Sequence, residues 1–147
     1  MSGKSSRIAE RVAAHQGGHW PACYRGYFDC FNQGLYFEAH DVLEELWLAN
    51  GREAANHAYH KGLIQLAGAF VHLQKDRLGP AVALFGLAEA NLLKYPRHHD
   101  GCDLTVLLAL IHDWRSAILS GEPRRNPLSE RTPPRLAPPV EPTGQSR

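Results

Sequence analysis

His40 and Glu44 stand four residues apart, and Trp47 follows one turn on. On an α-helix an i, i+4 pair projects from one face, so an imidazole and a carboxylate in this register converge on a single point. Helical bundles assemble metal sites this way, from inward side chains on facing helices. Two ligands alone hold a metal poorly. A second stripe supplies more: Lys61, Gln65, Gly68 and His72 recur at i, i+4, i+7 and i+11 in an otherwise apolar segment. Gly68 lets another helix approach closely along that stripe. If the stripe faces His40 and Glu44, His72 is the third ligand of a divalent metal ion, and Gln65 or Lys61 orients a bound water or anion. The same residues also read as a buried network in which His40, Glu44, Gln65 and His72 satisfy one another without a metal.

Around this pair the other polar groups are ordinary helix-surface chemistry or candidate site lining. Glu38, Asp41 and Glu45 fall at i, i+3 and i+7, on the opposite edge of the apolar face from His40 and Glu44. Three carboxylates so close repel one another unless a cation or an Arg is present. Trp47 reads as a core anchor whose indole N–H, next to Glu44, needs an acceptor. His57, His60, His98, His99 and His112 read singly as structural or solvated. Cys23, Cys30 and Cys102 are odd in number and lack CxxC spacing, which predicts free thiols in a reducing compartment. No GxSxG, GxxxxGK[ST] or GxGxxG occurs, so nucleophile-elbow, P-loop and dinucleotide chemistry have no support.

These side chains need helices to aim them. Apolar residues follow a helical period through most of the chain, with Leu35, Ala39, Val42, Leu43 and Leu46 on one face. Breaks at Asn32-Gln33-Gly34, Asn50-Gly51, Gly79-Pro80, Tyr95-Pro96 and Ser120-Gly121, with Asp103 as a cap, predict helices near 21–32, 35–49, 53–76, 80–95 and 103–120. Short connections imply antiparallel neighbours, hence an all-α, compact multihelical bundle of about five helices. Helix 80–95 is apolar nearly all round and is expected at the centre. Phe37 and Leu48 point away from the core, which predicts cover by another segment or by a second copy in a homodimer.

The domain plan is an N-terminal leader over 1–20, with a short amphipathic turn at 8–14, a helical domain over 21–120, and a Pro-rich tail over 121–147. Seven prolines in the tail predict a mostly disordered segment, either a solvated extension or a polyproline ligand for a protein partner. Sixteen Lys and Arg against fifteen Asp and Glu leave a net +1, so there is no basic excess for nucleic acid. No apolar run has signal-peptide or membrane-spanning length, and the expectation is a soluble cytoplasmic protein.

The run Phe31-Asn32-Gln33-Gly34-Leu35-Tyr36-Phe37-Glu38-Ala39-His40-Asp41-Val42-Leu43-Glu44-Glu45-Leu46-Trp47, followed by Lys61-Gly62-Leu63-Ile64-Gln65-Leu66-Ala67 and His72-Leu73-Gln74, resembles the bacterial and archaeal family catalogued as domain of unknown function 309. The resemblance covers roughly residues 22–118. It implies a small multihelical domain whose HxxxExxW motif, matched by His40, Glu44 and Trp47, is suspected of binding metal. Asp41 stands where the family pattern often has Glu. Two functions follow. One is a metal-dependent hydrolase, in which the metal activates a water, Glu38 or Glu44 acts as general base and Lys61 steadies an anionic substrate. The other is a non-catalytic helical interaction module using Phe37, Leu48 and the tail.

Overall fold

The computed structural model describes residues 18–142. The expected amphipathic turn at 8–14 and the end of the tail from 143 lie outside the described residues. Among those described, five α-helices run in order: α1 (Ala22–Asn32), α2 (Tyr36–Asn50), α3 (His57–Gln74), α4 (Leu78–Leu92) and α5 (Leu104–Leu119). A two-stranded antiparallel hairpin, β1 (His98–His99) and β2 (Cys102–Asp103), precedes α5, and a 3-10 turn follows it at Pro127–Ser129. The architecture is an all-α bundle. No helix among the described residues is long and apolar enough to cross a membrane.

Local chemistry sets the boundaries. Gly34 (φ +77°) and Gly51 (φ +78°) take the left-handed conformation that turns the chain after α1 and α2. Asp103 caps α5, its carboxylate accepting the Thr105 N–H at 3.0 Å. The hairpin is a signal that helical periodicity concealed. Asp100 (φ 46°) and Gly101 (φ 79°) are a two-residue loop with both φ values positive, the I′ geometry that Asp-Gly favours.

The centre of the bundle is α3, not the helix over 80–95 that its apolar composition suggested. α3 buries eleven of its 18 residues, whereas α4 buries Ala81, Phe85, Ala88 and Leu92 and leaves Leu87 half exposed. The reason is shape. Gly62 and Gly68 let α4 close on α3: a methyl at either would lie 3.1 Å from the side chains of Leu92 and Leu84, respectively. The helix admitted by Gly68 is therefore α4. Phe70 on α3, fully buried, is ringed by Phe31, Tyr36, Phe85 and Trp114 at centroid distances of 5.3, 5.1, 5.5 and 5.0 Å.

The tail differs from its expectation as far as residue 142. Residues 121–142 lie along the body, with Pro127, Leu136 and Pro139 buried. Asn126 donates to the Leu73 carbonyl at 2.6 Å, and Arg131 pairs with Asp113 at 2.8 Å while covering the Trp114 ring. A few apolar anchors plus side-chain bonds to its backbone hold the segment, and composition averaged over the tail hides so sparse a set. No disulfide joins Cys23, Cys30 or Cys102.

Candidate metal and ligand site

α2 carries His40, Asp41 and Glu44, whose ligand atoms all lie within 4.8 Å of one another; they are the one such trio among the described residues. Asp41, placed by periodicity on the far edge with Glu38 and Glu45, instead joins His40 and Glu44, and it is only 6% exposed. Its Oδ1 lies 3.1 Å from Nδ1 of His40. An ionised carboxylate only accepts, so Nδ1 carries the proton and the lone pair is left on Nε2. His40 keeps 30% of its side chain exposed and stacks on Phe37, with rings 7° from parallel.

α3 completes the setting. A pocket of about 260 Å³ opens between α2, α3 and α4, lined by Phe37, His40, Lys61, Ile64, Gln65, Gly68, Val71, His72 and Leu84. The stripe foreseen on α3 therefore shares one cavity with His40. His72 lines it too, although it falls outside the trio of ligand atoms. Burial, reinforced by Arg77 and Lys75, pushes the His72 imidazole pKa down, which favours its neutral form. Its Nδ1 is buried without a hydrogen-bond partner among the described residues.

The other candidates divide between this pocket and separate structural duties. Lys61 places its ammonium 4.5 Å from the Trp47 ring centroid, a cation–π contact at the pocket wall. The indole N–H of Trp47 donates to the His57 carbonyl at 3.0 Å, and the ring stacks on His57, so its acceptor is backbone rather than Glu44. Gln65 accepts from Asn91 of α4 at 2.8 Å. Glu38 is outside both the trio and the pocket lining. Glu45 faces α1, where its charge, after burial, raises the Cys23 thiol pKa. The four-membered network of His40, Glu44, Gln65 and His72 is not formed: His40 bonds Asp41, Gln65 bonds Asn91, and Nδ1 of His72 lacks a partner.

A second polar cluster escaped the sequence reading. The Tyr24 hydroxyl lies 2.6 Å from that of Tyr59, donates to the Asp100 carbonyl at 2.7 Å and lies 3.4 Å from Sγ of Cys102. Asn56 donates to the Asp100 carboxylate at 2.7 Å, and its Oδ1 lies 2.7 Å from Nε2 of His99. Burial drives the pKa values of Tyr24, Tyr59 and Cys102 upward, so all three stay protonated near neutrality. The cluster ties the hairpin to α1 and α3. Only the Asp100-Gly101 pair signalled it in the sequence.

Residues 24–84 match the model of the family described as Domain of unknown function (DUF309). No curated protein and no solved structure matches the chain.

Proposed function

For a chain whose residues 24–84 match the DUF309 family model, we propose a divalent-metal site on α2 that serves the adjoining pocket. One observation carries the reading: His40, its Nδ1 bonded to a buried Asp41, stands beside Glu44 in a compact trio and also lines a cavity with Lys61. A histidine with its second ring nitrogen on a carboxylate is the usual form of a metal-ligating imidazole. The donor set, one imidazole nitrogen with carboxylate oxygens, fits zinc, manganese or iron(II). His40 and Glu44 would hold the ion, Asp41 orients His40, and His72 offers a neutral nitrogen from across the cavity. Bound there, a divalent ion supplies Lewis acidity to a ligand oxygen.

The remaining residues set the ligand class. Lys61 gives a positive charge for an anionic group, while Phe37, Ile64, Val71 and Leu84 accept an apolar portion. Hydrolysis is the reaction needing the least further machinery, because a water held by such an ion would lose its proton near neutral pH without a separate base. Isothermal titration of the chelator-stripped protein with zinc, manganese and iron(II) tests the site. Saturable binding at about one ion per chain, lost in His40→Ala and Glu44→Gln, is expected; no binding of any of the three overturns the reading.

A second reading rests on Phe37 and Leu48, which are 50% and 66% exposed on the outer side of α2. A homodimer that buries this face would also wall the pocket, because Phe37 belongs to both.

A further inference from the structure

The segment from Arg135 to Glu141 is held largely through its main chain. Asn32, the last residue of α1, grips Leu136 by both backbone groups: Nδ2 donates to the carbonyl at 2.8 Å, and Oδ1 accepts from the N–H at 2.7 Å. Val140 N–H donates to the Gly101 carbonyl at 2.8 Å, and the indole of Trp20 donates to the Val140 carbonyl at 3.1 Å. Two side chains are sunk, Leu136 and Pro139. They stand three apart, the repeat of a polyproline II helix. Gly101 is shaped to let a backbone pass, since a methyl there would lie 2.7 Å from the Val140 carbonyl oxygen.

Around these anchors the packing is open. Cavities of about 580, 360 and 170 Å³ are each lined in part by residues of this segment, and Arg135, Ala137, Pro138 and Val140 stay exposed. Backbone bonds to fixed side chains, apolar anchors at a fixed spacing and open flanks are how folded domains hold extended peptides. They are unlike the continuous burial of the core.

We propose that the groove between α1, the hairpin and α5 is a docking site for an extended Leu-x-x-Pro peptide carried by a partner protein, with residues 135–141 filling it in cis as a tethered pseudo-ligand. A short tether sets an effective concentration in the millimolar range, so at micromolar concentrations two copies gain nothing by exchanging tails. A different protein presenting the two anchors with better flanking contacts can displace the tail. This inference is independent of the metal site.

The probe is a fluorescein-labelled synthetic peptide of residues 131–142, titrated into the full chain. Leu136→Asp withdraws the cis anchor while leaving the groove intact. The peptide is expected to bind this variant at least about tenfold more tightly than wild type, because the tethered competitor is gone. Asn32→Ala added to Leu136→Asp, or the leucine-to-aspartate change in the peptide, should abolish the gain. Equal binding, or none, to a Leu136→Asp chain with native circular dichroism overturns the proposal. Should that variant not fold, hydrogen exchange on wild type decides: about 1 mM peptide should speed exchange of the Leu136 and Val140 amides by freeing the tail, and unchanged exchange overturns the proposal. Wild-type dimers that retain the peptide contacts at micromolar concentration would make a second copy the occupant, and would also overturn it.

Discussion

Asp41 accepts the Nδ1 proton of His40 at 3.1 Å and does so while nearly excluded from solvent. The bond fixes the tautomer and the ring plane together, so the Nε2 lone pair is held ready for a cation. In Asp41→Asn the carboxamide can donate to Nδ1, and the proton then moves to Nε2.

A metal added at about 100 times its Kd should stabilise the wild-type fold by about 2.7 kcal/mol. Asp41→Asn should lose most of that gain and His40→Ala all of it. Thermal melts with chelator, then with zinc, manganese or iron(II), make the comparison. An equal upward shift in all three proteins would place the ion elsewhere.

His60 gives the fold a pH dependence. It is 4% exposed, and burial lowers its imidazole pKa from 6.5 to about 4; Asp100 acts against the shift and His99 with it, while Tyr24 and Tyr59 pack on the ring. Between these two values the unfolded chain binds a proton that the folded chain refuses. Stability is therefore complete above about pH 6.5 and falls as pH drops towards 4, by on the order of 3 kcal/mol from this residue. Urea titrations across that range should show a shallower slope in His60→Gln, and identical slopes would contradict the assignment.

Phe70 tests the core. Removing its ring from among Phe31, Tyr36, Phe85 and Trp114 leaves a cavity that rigid helices cannot close. Phe70→Ala should cost about 3 to 5 kcal/mol in chemical denaturation. A loss below about 1 kcal/mol would mean that the bundle repacks around the gap.

The exposed pair on α2 bears on assembly. If Phe37 and Leu48 meet a second copy, sedimentation should find a dimer at tens of micromolar, and Phe37→Ser should weaken it by at least tenfold, about 1.4 kcal/mol. A monomer unaffected by the substitution would leave that face without a partner copy.

Much of this protein is written locally. Helix positions follow from apolar spacing and from Gly34, Gly51 and Asp103, because backbone conformation and capping depend on near neighbours. His40 and Glu44 are brought together by helix geometry alone, and the stripe from Lys61 to His72 shares one face for the same reason. Long-range packing decided the rest. α3 took the centre because Gly62 and Gly68 admit α4, a matter of shape that hydropathy does not report. Asp41 joined His40 although its position on the helix wheel pointed away, since a side chain's partner depends on rotamer and surroundings as well as on angle. The hairpin cluster draws Tyr24, Asn56, Tyr59, His99, Asp100 and Cys102 from three segments far apart in the chain. The tail follows its groove because Asn32 and Gly101, 104 and 39 residues before the residues they hold, offer bonds to backbone. Backbone groups are common to every residue, so no pattern of side chains in the tail announces such partners.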